Sequence, residues 1–123
     1  MQRVRITAGK VSAEAVIHDT PTGKAIQAAL PIEGSASTWG DEIYFSIPVR
    51  AKLEPGAKEV VELGDLGYWP PGTAFCIFFG MTPASSGGEI RPASAVNVFG
   101  KLEGDAAVFK KVSSGTKVRI EVM

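Results

Sequence analysis

GDLGYWPPGTAFCIFFGMTP, from Gly64 to Pro83, is the stretch around which this chain is organised. Two glycines bracket Asp65 and Leu66, and Tyr68 and Trp69 stand directly before Pro70, Pro71 and Gly72. Two prolines followed by a glycine continue neither a helix nor a central strand, so the backbone turns there. Ala74 to Phe79 is then an unbroken apolar run closed by Gly80. It is too short for a helix and reads as a strand buried on both faces. Alternation puts Phe75 and Phe79 on one face and Cys76 and Phe78 on the other. An aromatic pair at a rigid turn thus lies beside a strand carrying three more rings, either the densest part of a core or one wall of a cleft.

Outward from this stretch the chain is a series of short strands. Val4, Ile6 and Ala8 alternate with polar neighbours, and Ala13, Ala15 and Ile17 follow after a Gly9-Lys10 turn, so a hairpin opens the domain. Thr20-Pro21 reads as an N-cap with proline at the first helical position; Ala25, Ile26, Ala29 and Leu30 form an apolar stripe that Pro31 stops. Ser35–Trp39 and Glu42–Val49 read as a second hairpin around Gly40-Asp41, with Ile43, Phe45 and Ile47 on one face and Glu42, Tyr44 and Ser46 on the other. Lys52–Lys58 is a polar turn, and Val60, Val61 and Leu63 offer a short strand. Gly80 to Gly88 is a loop of small residues, a type of segment that often carries function. Ala95–Leu102 is an apolar strand, and Asp105 caps a second short helix that Gly115 terminates. Lys117 to Val122 mirrors the pattern of the first strand, so the two terminal strands are expected to pair and close the sheet. About eight short strands and two helices favour one closed, mainly β, antiparallel barrel with short covering helices, spanning residues 1–123.

Composition excludes several classes of function. Thirteen basic and thirteen acidic residues cancel, which removes the electrostatic reason to expect nucleic acid or an anionic membrane as partner. No apolar run approaches the roughly 20 residues that span a bilayer, and no signal-peptide pattern follows Met1, so a cytoplasmic protein is expected. The single Cys76 permits no internal disulfide. His18 is the only histidine, which leaves no material for a Ser-His-Asp triad or a histidine-rich metal site; no metal or other cofactor is expected. Cys76, inside the apolar run, reads as a small buried hydrophobe. Asp41 and Glu42 are adjacent carboxylates that, as neighbours in a turn, are expected to face solvent.

The order of elements resembles the cyclophilin barrel. Val96–Gly104, VNVFGKLEG, is similar to the VVFGKVxEG stretch of cyclophilins, and Phe75–Thr82, FCIFFGMT, to the SQFFICT strand that lines their peptide groove. A fuller resemblance is to a small prokaryotic cyclophilin-like family of uncharacterised function carrying TWGxEIYF, GDxGYWPPGxAxCxFFGxTP and PASAVNVxGK. Those patterns stand here at Thr38–Phe45, Gly64–Pro83 and Pro92–Lys101. The resemblance implies the eight-stranded barrel fold and leaves the activity open. Cyclophilins twist an X-Pro amide with a forked arginine beside an apolar pocket. Matching Pro48 to the proline of their FHRIIP pattern puts Phe45 at that arginine's position, and Arg50 and Arg91 are the nearest substitutes. Of the groove, only the phenylalanine wall of Phe78 and Phe79 carries across.

The expected function is therefore binding of a peptide or small apolar ligand in an aromatic groove drawn from Trp39, Tyr44, Phe45, Tyr68, Trp69, Phe78, Phe79, Met81 and Arg91. For Tyr68 and Trp69, amphipathic rings at a turn, cleft lining and core packing stand level. Met81 suits a cleft because a flexible thioether adapts to its partner. Asn97, polar within an apolar strand, reads as a satisfied core hydrogen bonder or a groove contact. Two alternatives remain: a prolyl isomerase with rearranged catalytic residues, and a structural module that uses the Pro70-Pro71 turn and its aromatics to form homo-oligomers, which zero net charge permits.

Overall fold

A computed structural model describes residues 1–123. The first hairpin joins β1 (Gln2–Ala8) to β2 (Val11–Ile17), with Val4 opposite Ala15 and Ile6 opposite Ala13. Helix α1 (Pro21–Ala29) starts where Thr20 Oγ1 accepts the Gly23 N–H, so the expected cap forms, and Ile26 is its buried anchor. Then come β3 (Ile32–Ser35), β4 (Ser37–Thr38) and β5 (Glu42–Ser46). β6 (Asp65–Trp69) and β7 (Ala74–Phe78) are joined by a 3-10 turn over Pro70–Gly72, where Thr73 takes a φ of 43°. β8 (Asn97–Glu103) leads to a 3-10 helix at Ala106–Lys111, capped by Asp105, and β9 (Lys117–Val122) ends the chain.

The sheet runs β3-β9-β1-β2-β8-β6-β7-β5-β4, and each strand pair is antiparallel. β1 and β9 pair through the Ile6–Ile120 register, as their matching alternation anticipates. The ring is then joined elsewhere. β3 pairs with β9, β4 pairs with β5, and only Ala36 separates the two. One segment thus changes neighbours at Ala36 and links both edges of a nearly closed barrel; counted as one, it leaves eight strands around the ring. No helix is long and apolar enough to cross a membrane.

Two expected elements differ. Val60, Val61 and Leu63 form no strand. The segment makes only single bridges, Lys58 to Val96 and Val61 to Ile90, and Leu63 is 57% exposed. Gly64, at a φ of +86°, turns the chain before a ladder can form, so this stretch is a strap anchored by Val61. The second helix is a 3-10 helix whose Phe109 plugs the barrel interior.

Alternation along the strands builds two separate apolar clusters. Inside the barrel lie 24 buried residues, among them Phe45, Tyr68, Phe75, Phe79, Phe99 and Phe109. On the outer face of β5–β8 lies a second group of Val61, Ala74, Cys76, Phe78 and Val96, flanked by Tyr44, Trp69, Ile90 and Val98. The strap at residues 58–61 and the loop from Gly80 to Val96 cross that outer face. The loop is tied down by Asp41 N–H to the Met81 carbonyl, the Thr82 hydroxyl to the Arg91 carbonyl, and Val96 N–H to the Lys58 carbonyl.

Candidate functional site

The outer cluster is incompletely covered. Trp39, Glu42, Tyr44, Trp69, Pro92, Ala93 and Val96 surround a cavity of about 220 Å³. Drug-sized ligands occupy roughly 300–1,000 Å³. The space here therefore admits a headgroup or one side chain, not a larger molecule in full.

Each wall is positioned by local structure. Trp39 follows β4 into the Gly40 turn, where its N–H bonds the Glu42 carbonyl and Gly40 adopts a φ of +61°. Tyr44 projects from β5 on the face that Glu42 shares, with Cys76 opposite it on β7. Trp69 ends β6, and its indole Nε1 donates to Ser94 Oγ at 2.7 Å. Its ring lies so close to the 3-10 turn that a Cβ at Gly72 would come within 2.9 Å of it. Pro92, Ala93 and Ser94 arrive with the loop that crosses the outer face. Beneath them Gly67 lets Val96 and Phe78 approach the sheet, since a Cβ there would stand 2.9 Å from the Val96 side chain.

Glu42 is the unexpected member. It opens β5 opposite Phe78 and is only 5% exposed, where a solvent-facing turn residue was expected. The reason is topological: its partner strand β7 is buried on both faces, so the outward face at Glu42 is roofed as well. Asp41, on the other side of the chain, is the half-exposed carboxylate, 3.9 Å from Lys110 Nζ. Glu42 Oε1 has no hydrogen-bond partner. Burial pushes the Glu42 carboxyl up to about 7, with the neighbouring Cys76 thiol opposing the shift. Burial likewise drives the Cys76 thiol well above its ordinary value, and the thiol's directed contact is with the Ala74 carbonyl at 3.9 Å, so no nucleophile is generated here.

Of the residues expected from sequence, Trp39, Tyr44 and Trp69 meet at the cavity. Phe45, Tyr68 and Phe79 do not: all three face the barrel interior. Phe45 stacks on Phe75 with centroids 5.1 Å apart, and Phe79 lies 6.2 Å from Phe109. The Tyr68 hydroxyl donates to the Val49 carbonyl and accepts the Ala51 N–H, which ties the chain after β5 to the barrel. Phe78 faces outward but is fully buried in the outer cluster, under the strap and loop. Met81, 47% exposed, and Arg91, half-buried in the loop before Pro92, are outside the cavity lining. Asn97 is a core hydrogen bonder: it accepts the Glu54 N–H and donates to the Lys52 carbonyl and Thr22 Oγ1.

Sequence reasoning missed Glu42, Pro92, Ala93 and Val96. A signal for Glu42 was present. It shares a strand face with Tyr44 and lies three residues after Trp39, beside a run buried on both faces.

A solution structure of the hypothetical protein AF2241 from Archaeoglobus fulgidus is similar along 99% of this chain and 95% of that one, at 45% identity and a TM-score of 0.84. A structure of McbB in complex with tryptophan has a TM-score of 0.71 at 8% identity over 96% of this chain, a likeness of fold alone; the chain spans 44% of that protein. No curated protein matches. The family model described as cyclophilin-like matches residues 2–121, and the barrel, its motifs and this match together make the chain a member of that cyclophilin-like family.

Proposed function

We propose that this barrel is a binding protein that takes a small ligand, or a single side chain of a peptide, into the pocket between Trp39, Tyr44 and Trp69. One observation carries the reading: a cavity of about 220 Å³ remains in an otherwise dense outer cluster, walled by three amphipathic aromatics around the unpartnered Glu42 oxygen. Such a mix of apolar walls and one buried polar group is what small-ligand sites have in common. Binding, not prolyl isomerisation, is favoured because no arginine lines the cavity and Phe45, at the position matched to the cyclophilin arginine, is turned into the core.

The test is an amide NMR titration with capped single-residue amides (N-acetyl, N-methylamide) of the natural amino acids. Binding by the proposed route perturbs Trp39, Tyr44 and the Trp69 indole N–H, and Trp69→Ala removes the effect. Shifts confined to another face would overturn the reading. So would turnover in a coupled isomerisation assay on an X-Pro peptide that disappears on changing Arg91.

A further inference from the structure

We propose that the group received by this pocket is an organic cation, a methylated ammonium, held by the three aromatic rings and neutralised by the Glu42 carboxylate. The inference rests on the binding reading above and names its ligand class.

Four observations lead to it. Trp39, Tyr44 and Trp69 present three electron-rich rings to one small space. The aromatic pairs of this protein, Phe45–Phe75, Phe75–Phe99 and Phe79–Phe109, all lie inside the barrel, so none of the pocket rings is stacked on another ring. Ring faces attract cations through their quadrupole, most strongly when water is excluded. Last, Glu42 lines the same space, 5% exposed, and its Oε1 lacks any partner.

A buried carboxylate oxygen without a partner is costly, and native structures seldom leave one unexplained; the Cys76 thiol beside Glu42 is a weak donor that brings no charge. No lysine or arginine of the chain bridges to Glu42; the nearest such pairing, Lys110 with Asp41, belongs to the neighbouring residue. The titratable groups facing Glu42 are Tyr44 on its own strand and Cys76 on β7, while Pro92, Ala93 and Val96 bring no charge from the loop side. The missing partner is therefore external, and a positive charge with an apolar surface satisfies carboxylate and rings together. A methylated ammonium suits the cavity volume; an anion meets Glu42, and a neutral alkyl group leaves Oε1 unpaired.

The experiment compares choline with its neutral carbon isostere, 3,3-dimethylbutan-1-ol, by calorimetry and tryptophan fluorescence at pH 8. The expected result is choline binding at least ten-fold tighter than the isostere. Glu42→Gln brings the two within about two-fold. Lowering the pH from 8 to 5.5 weakens choline binding to the wild-type protein about ten-fold as Glu42 takes a proton. The isostere and pH comparisons use the unaltered chain, so they decide the matter even if the variant folds poorly. Equal binding of both compounds overturns the cation and leaves the pocket reading standing; binding of neither also overturns the cation, and the pocket reading is then decided by the amide titration alone. The methylamide of N-acetyl-trimethyllysine distinguishes the source: tighter binding than choline assigns the cation to a peptide side chain, weaker binding to a free small molecule.

Discussion

The same strands build two apolar regions that behave oppositely. On β7, Phe75 and Ile77 point into the barrel among the rings and aliphatic side chains of the inner cluster; Cys76 and Phe78 point out, where cover comes from a strap and a loop. The inner cluster has 24 members and meets a surface hollow only where Ala8 and Val112 reach one end of the barrel; the outer has five and leaves a hole walled by aromatics around a buried carboxylate. The inner one holds polar atoms only where they are paired, as with the Tyr68 hydroxyl between Val49 and Ala51. The outer one keeps an unpaired carboxylate oxygen. A sheet closed on itself satisfies one face by geometry, and the other face is free to be specialised by whatever crosses it.

The largest way to test this division is to hollow the inner region. Phe75→Ala removes a fully buried ring that contacts both Phe45 and Phe99, and should cost about 3–5 kcal/mol in denaturant unfolding. A loss below about 1 kcal/mol would mean that the barrel interior is not the seat of stability.

Next in size is the pH dependence of the outer region. Burial moves the Glu42 carboxyl from 4.5 up to about 7, so the folded state holds this proton more tightly than the unfolded chain does. The corresponding stability is present in full below pH 4.5 and is lost as pH rises through 7. At about 1.4 kcal/mol per pH unit, the loss is on the order of 3 kcal/mol. Urea unfolding of the wild-type chain and Glu42→Gln between pH 5 and 8.5 checks this: the difference between the two should shift by that order in favour of the variant as pH rises. A pH-independent difference would show that Glu42 is solvated or paired, and would erase the contrast between the two regions.

How much of this could be read in the amino acids follows the same boundary. Strand faces were legible wherever alternation is strict, as in Val4-Ile6-Ala8 and in the split of Phe75 and Phe79 from Phe78 and Cys76, because period two is a local property. The family motifs added the barrel. Which faces meet solvent was not legible. Tyr68 and Trp69 are neighbours at one turn, yet one reaches Val49 across the interior and the other meets Ser94 on the loop. Nothing within a few residues separates them, since Val49 lies 19 residues before Tyr68 and Ser94 lies 25 residues after Trp69. Glu42 was misplaced for the same reason: a carboxylate after Gly40-Asp41 suits a solvated turn until the two-sided burial of β7 is applied to the strand beside it.

The smallest expected effect is at Ser94, where the two regions are most sharply separated. Its hydroxyl accepts the Trp69 indole N–H at 2.7 Å on the exposed side of the pocket, while the turn at Gly72 presses on the same ring. In Ser94→Ala, water replaces the lost partner, because the bond is exposed, and stability should fall by no more than about 0.5–1 kcal/mol. The ring gains freedom, however, and a wall that must be ordered on binding weakens affinity. Choline binding should drop several-fold while the unfolding midpoint hardly moves. Gly72→Ala pushes the ring from the other side and should cost more affinity than Ser94→Ala, since a Cβ there meets the ring instead of merely releasing it. If Ser94→Ala instead lowered stability by several kcal/mol and left affinity unchanged, the loop would be a structural clamp like the barrel interior, and the outer face would lose its claim to be the specialised one.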